Sequence, residues 1–367
     1  MKILVLTDPY GPPSFAPRIR YFCDYWCKNG HDVYVITERF HPIAFPHTYP
    51  IKEISLYRNR MDWFFKSVWS LLTDWKNRYF SRKAKKEVKD LSFDLVFCTT
   101  FSTFPLRAAL EIAREKHLPL HVDIRDLDEQ VPDAQYQHHR QWWARPFRNL
   151  YKQINICRRN HVLRQATSIT TISPWHVDFL HAQNSNVYLL YNGFDPEQFY
   201  FAPVHNKEFL ISYIGTIYEF QHPEALFSMI RQLQDELPQL RLNLHTPDHH
   251  PIAITAVGDE IRKSSIMIVL TSPTANGMMT TKFFEALGCE KPVICYPSDH
   301  GLLAQTIENV NAGIATDEIE AIRTFIIDKY REWERNGYTR QPVKQEIKQR
   351  FSRQYQAEQM EKIFKQL

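Results

Sequence analysis

The residues best equipped for chemistry stand in one stretch, GMMTTKFFEALGCEKPVICYP (277–297), where Lys282 and Glu285 lie three apart behind two threonines. On a helix, positions i and i+3 share a face. If Thr280 caps that helix, Lys282 falls in its first turn, where a cation opposes the helix dipole unless an anion sits there. One reading is a lysine under a phosphate, with Thr280 and Thr281 beside it and a carboxylate one turn deeper to accept hydrogen bonds from sugar hydroxyls. The other is an ordinary surface salt bridge, worth ~0.3 kcal/mol.

Three further groups stand just after strand-like runs. DPYGPPSFAPRIR follows the first run and leads into a helix carrying Arg18 and Arg20. Guanidinium groups near a helix N-terminus suit phosphate or carboxylate, although each could equally be a surface arginine. HVDIRD ends in Arg125 and Asp126, with Asp128 and Glu129 following. Asp126 could orient a substrate hydroxyl or accept its proton, or belong to a solvated acidic loop. In ISYIGTIYEF, Gly215 and Thr216 allow close backbone approach, as a diphosphate or merely a tight turn would require. The DLD triplet matches a three-residue metal-binding pattern that is very common by chance, and HTPDHH (245–250) matches no standard site, so no metal is expected.

Elements that would position these groups alternate along the whole chain. KILVLT is a continuous apolar run of the kind buried in parallel sheets; a helix ending at Gly30 and the strand HDVYVIT complete a βαβ unit. The grammar returns in FDLVFCTT, PLHVDIRD, SITTIS and NVYLLYNG, then restarts at FLISYIGTIY and runs through LRLNLHT, IMIVLTSP and PVICYP. A chain of 367 residues exceeds one ordinary core. Two doubly wound α/β domains are therefore expected, 1–198 and 199–342, hinged near DPEQFYFAPVHNKE, with ligands outside the carboxyl ends of the strands in a cleft between them. The tail 343–367 is charged and helical in period, but Ile347, Phe351, Tyr355 and Met360 give it an apolar side that must be buried.

Charge is uneven: residues 1–200 hold 27 Lys+Arg against 20 Asp+Glu, and the remainder 18 against 21. An anionic partner would thus meet the first half. Residues 61–90 combine seven aromatics with eight cations and four acids, the ingredients of a helix lying on an anionic membrane, or of an aromatic helix packed on its domain with a solvated basic end. The basic run is short and no recognition module accompanies it, so nucleic acid is not expected. The six cysteines lack paired spacings, no run reaches the length of a membrane span, and the first apolar run stops at Asp8. The expected place is the cytoplasm, with peripheral contact at the inner face of the membrane.

MKILVLTDPYGPP, KNGHDVYVIT, FDLVFCTTFST, HVDIRD, ATSITTIS, LLYNGFD, YIGTIYEF, TTKFFEALGCEKPVICYP and NAGI occur in an order that resembles family-4 glycosyltransferases of the GT-B fold. The resemblance implies two Rossmann-like domains facing across a nucleotide-sugar cleft, the first on the acceptor side and the second on the donor side, with a terminal helix crossing back to the first domain. It implies a retaining, metal-independent transferase of hexosyl or N-acetylhexosaminyl type, without cofactor. A UDP- or GDP-sugar would serve as donor and a glycan or lipid-linked hydroxyl as acceptor, in cell-surface polysaccharide synthesis. By position, Glu285 matches the ribose-binding glutamate, Lys282 a lysine three residues before it, Gly215 and Thr216 the first donor-side loop, and Asn192 with Gly193 the Asn-Gly before the hinge. Arg18 matches a basic residue of the acceptor-side helix, and Asp126 would orient the acceptor.

Departures accompany the match. Gly277 stands where many relatives carry a first glutamate, and Thr216, Gln221 and His222 occupy the region of an arginine-lysine pair that grips the diphosphate. A non-catalytic partner subunit and a nucleotide-sugar epimerase on the same fold are therefore alternatives.

Overall fold

Continuous apolar runs become inner strands because a parallel sheet covered by helices on both faces leaves no polar side. The computed structural model describes residues 1–11, 17–40, 42–43, 45–131, 146–248, 250–274 and 277–367. It divides into two units, Met1–Leu190 with Ala357–Leu367, and Tyr191–Gln356.

The first unit opens with β1 (Lys2–Thr7), α1 (Pro17–Lys28), β2 (Asp32–Glu38) and β3 (Ile51–Ile54). Two helices, α2 (Arg60–Leu72) and α3 (Trp75–Glu87), precede β4 (Leu95–Thr100), α4 (Leu106–Lys116) and β5 (Leu120–Ile124). Then come α5 (Arg148–Leu163), β6 (Ser168–Thr171), α6 (Pro174–Leu180) and β7 (Val187–Leu189). The strands form one parallel sheet in the order β3-β2-β1-β4-β5-β6-β7. The direction of winding reverses between β1 and β4, where Leu6 pairs with Cys98 and Thr7 with Thr99.

In the second unit, β8 (Phe209–Ile214), α7 (Glu224–Glu236), β9 (Leu240–His245), α8 (Val257–Lys263) and β10 (Ile266–Leu270) lead to α9 (Thr281–Gly288). They are followed by β11 (Val293–Tyr296), α10 (Leu302–Asn309), β12 (Gly313–Ala315), α11 (Ile319–Asn336) and α12 (Gln345–Arg350). The sheet is again parallel, in the order β12-β11-β10-β8-β9, so winding reverses between β8 and β10. Ligands collect outside the strand carboxyl ends at such a reversal.

The terminal stretch departs from one continuous helix. Phe194 and Ser352 form an isolated parallel bridge, and α12 ends before it; α13 (Arg353–Phe364) begins just after. The apolar side of the tail is consequently shared. Phe351 joins the second unit's core with Phe283, Phe284 and Leu287, whereas Met360, Ile363 and Phe364 join Trp26, Phe22 and Phe97 in the first. Phe364 lies 5.1 Å from Trp26 and 5.8 Å from Phe97, ring centre to ring centre. The edge strands β3 and β12 escape a reading of periodicity because four and three residues are too few to show one.

Candidate functional site

At the reversal in the second unit, β8 runs into Gly215, whose φ of +136° lies where side chains are strained. Its N–H donates to His245 O at 2.8 Å. A Cβ there would stand 2.4 Å from Lys282 Cε and 2.9 Å from Nζ. Glycine is thus what admits the Lys282 side chain across the end of the strand.

Lys282 reaches that place from the first turn of α9. Thr280 adopts extended φ/ψ and its hydroxyl accepts from Lys282 N at 3.4 Å, the expected cap, and the turn contains no acid. Burial lowers the Lys282 pKa, with Glu285 partly offsetting it, and the ammonium lies 5.8 Å from the Tyr213 ring centre. The surface salt-bridge reading does not hold. Among the described residues, no ion pair or hydrogen bond joins the Lys282 ammonium to Glu285 or to any other side chain.

Glu285 is half-buried, and lost hydration raises its pKa while first Arg353 and then Lys282 pull it down. Arg353 reaches this neighbourhood through the Asn192-Gly193 turn. Gly193 has φ +62°, and a Cβ on it would meet Phe351 O at 2.8 Å. Phe194 N donates to Phe351 O at 3.0 Å and Arg353 N to Phe194 O at 2.8 Å. Asn192 is half-buried on the same turn.

Sequence reasoning missed Arg353, which lies in the charged tail and has no local signal. It also missed Thr271, whose buried hydroxyl at the end of β10 has no partner among the described residues. Gln221 proves to be a strut. Its Nε2 donates to Leu270 O at 3.1 Å and its Oε1 accepts from Tyr218 N at 2.9 Å, holding the loop after β8 against β10. Thr216 is exposed, and its carbonyl accepts from the Tyr213 hydroxyl at 2.5 Å. Gly277 has φ +67° and thus a backbone that a glutamate would adopt only under strain; residues 275–276 beside it lie outside the described set. In HTPDHH, His245 Nδ1 lies 2.9 Å from His250 O and its Nε2 2.9 Å from Asn243 Nδ2; His249 is outside the described residues.

In the first unit, strand carboxyl ends carry a buried charge network. Arg18, expected at an anion site, is buried, and its guanidinium binds Asp123 through Nη1 and Leu190 O through Nη2 at 3.0 Å. Thr99 and Thr170 hydroxyls also donate to Asp123, each at 2.8 Å. Burial alone would raise the Asp123 pKa, but Arg18, Arg125 and the two threonines hold it below its ordinary value. Arg125 donates to Asp8 at 2.7 Å and stacks 3.6 Å from the Phe101 ring centre. Arg20 is half-buried, 4.1 Å from the Phe45 ring centre. The sequence therefore places both arginines on α1 correctly, while their guanidinium groups are engaged inside the unit.

Asp126 follows Arg125 at the end of β5 with an exposed edge. Its carboxyl is nevertheless crowded by protein, and lost hydration, opposed by Arg125 and assisted by Asp8 and Asp128, pushes its pKa up to about 6.

Two doubly wound parallel sheets, one per unit, define a GT-B fold. Anabaena HepE in complex with UDP-glucose is similar across the whole of both chains at 15% identity, with a TM-score of 0.68. Sucrose-phosphate synthase from Thermosynechococcus elongatus is similar over 100% of this chain and 98% of that one at 16% identity, with a TM-score of 0.67. The lipopolysaccharide outer core galactosyltransferase WaaB matches over 100% of each chain at 14% identity, with a TM-score of 0.54. Residues 17–198 match the family model described as Glycosyltransferase Family 4. No match was found among curated proteins. The family match over residues 17–198 together with the fold supports glycosyl transfer as the class of activity.

Proposed function

We propose that the protein transfers a sugar from a nucleotide diphosphate sugar to a hydroxyl of a glycan or lipid-linked acceptor, in cell-surface polysaccharide synthesis at the cytoplasmic side of the membrane. The observation that carries this reading is the Lys282 ammonium, admitted by Gly215 and without a protein partner among the described residues, at a helix N-terminus beside the sheet reversal. A diphosphate supplies the missing anion. The UDP-glucose bound to HepE motivates a uridine donor as the first to try, with GDP-sugars beside it.

In this reading the second unit holds the donor. Lys282 and the amide of Thr281 lie under the diphosphate, Gly215 leaves room for the lysine there, Thr216 and Thr280 flank it, and Asn192 belongs to the turn that supports the ribose side. Glu285 accepts hydrogen bonds from the ribose hydroxyls. The bond between the anomeric carbon and the diphosphate oxygen breaks while the acceptor oxygen bonds to the same carbon from the same face. The acceptor proton passes to the departing diphosphate. Positive charge fixed in advance stabilises that leaving group without a metal. Asp126, in the first unit, orients the acceptor hydroxyl, and the N-terminal end of α1 with Arg18 and Arg20 forms the floor of that side.

A second reading, a partner subunit without turnover, is favoured by Gln221 serving as a strut and by the left-handed Gly277. Calorimetric titration with UDP, GDP and their sugars separates the two. Binding of one nucleotide, weakened at least about tenfold by Lys282→Ala and by Glu285→Ala, is the expected result. No heat with any member of the panel sinks the donor site, and turnover of a nucleotide sugar without acceptor identifies an epimerase.

A further inference from the structure

Amphipathic helices of a globular domain turn their apolar stripe inward. Among its described side chains, helix α2 does the reverse. Met61, Phe64, Phe65 and Trp69 recur at helical spacing along one stripe and are 71%, 40%, 64% and 55% exposed; Trp63, at 44%, stands on another face. The polar side is the one fastened to the unit. Lys66 donates to Asp62 at 2.7 Å and to Leu56 O at 3.3 Å, and lies 4.8 Å from the Trp75 ring centre; Asp62 also accepts from Arg58 N at 2.8 Å. Asn59 caps the helix by accepting from Asp62 N at 2.9 Å, so the orientation is fixed by specific bonds at its first turn.

We infer that α2 is a membrane-docking element that lies in the interface of an anionic lipid bilayer, independently of the donor site proposed above. Charge selects this occupant. Residues 58–90 contain ten Lys+Arg and four Asp+Glu, a net of +6 (10 − 4). Arg58 and Arg60 stand exposed at the start of α2, and Arg82, Lys83 and Lys86 stand exposed on α3. Each cation near an anionic surface contributes about 1 kcal/mol of attraction, whereas a second copy would bring like charges together. Phe, Trp and Met side chains beside cations are the composition of helices that lie at the headgroup boundary. A helix of thirteen residues spans about 20 Å, enough to lie in that boundary and too short to cross it. Among the described residues, no helix is long and apolar enough to cross a membrane.

Sedimentation of the full chain with phosphatidylcholine vesicles, with and without about one third phosphatidylglycerol, tests the inference. The protein is expected to pellet with the anionic vesicles only, and less so at high salt. Phe65→Ser with Trp69→Ser should weaken partitioning at least about tenfold while leaving Tm and nucleotide binding unchanged. Arg82→Glu with Lys83→Glu and Lys86→Glu should weaken binding and flatten its salt dependence. Any of three results overturns it: wild type left in the supernatant with anionic vesicles, the serine variant pelleting like wild type, or a solution dimer that the serine variant dissociates.

Discussion

At the scale of single residues, the proposed donor site is a place where charge is held at a cost to folding. Raising the Glu285 pKa above its ordinary 4.5 means that the folded state binds the proton more tightly than the unfolded chain. Stability from this group is therefore present at pH below 4.5 and is lost as pH rises through the raised value. Glu285→Gln is accordingly expected to raise Tm at neutral pH by roughly 2 °C, an advantage that disappears toward pH 4, while nucleotide affinity falls. Thermal melts of both proteins across that range check the sign; a Gln variant less stable at neutral pH contradicts it. Asp126 gives a prediction of its own. With a pKa pushed up to about 6, it loses its charge within a usable pH range. If it orients the acceptor hydroxyl, kcat/KM rises with pH through about 6, and Asp126→Asn lowers the plateau and removes that limb.

At the scale of elements, the pairing of Gly215 with Lys282 couples the end of β8 to the start of α9. Gly215→Ala places a methyl against Lys282 Cε and strains a φ of +136°, so stability and nucleotide binding should both fall. Most of the binding loss should be absent when Lys282→Ala is already present, because the lysine that the methyl displaces is gone. The double-mutant cycle in binding free energy is the measurement, and strict additivity would show that the two residues act separately. This coupling also marks what the sequence could disclose. Thr280 as a cap and Lys282 in the first turn follow from residue types at fixed offsets, and the structure has them so. What the offsets cannot say is that Lys282 and Glu285 stay unpaired, since that depends on a glycine sixty-seven residues upstream of the lysine. Arg18 is the converse case. Its position on α1 is legible, but its burial against Asp123 depends on β5, and no local pattern reports a partner so distant in the chain.

At the scale of the whole molecule, the alternation of strand-like runs and helical stretches is sufficient to anticipate two parallel α/β sheets: β1 and β10 are apolar runs, while β5 (LHVDI) and β6 (SITT) are legible from their place in the alternation. Strand order is not legible, for it rests on pairings between separate segments such as Leu6 with Cys98; nor is the division of the tail between two cores, which rests on contacts as distant as Phe364 with Trp26. Phe364 is buried with Trp26, Phe97 and His121 around it. Phe364→Ala should cost about 3–5 kcal/mol by the cavity it leaves, and should lower the melting temperature of the first unit. If calorimetry resolves two transitions, only the one assigned to that unit should move; an unchanged profile would mean that the last helix adds nothing to its core.

The first unit is built from two pieces of chain, Met1–Leu190 and Ala357–Leu367, with all of the second unit between them. During synthesis, the ribosome must therefore complete the second unit before Met360 and Phe364 emerge to finish the core begun by Trp26. Until then, the nascent first unit lacks part of its core and leaves that apolar face to solvent or to a chaperone, while the second can close as soon as its own residues are made. Birth order and completion order are thus opposite in this protein: the half that is translated first is the half that matures last.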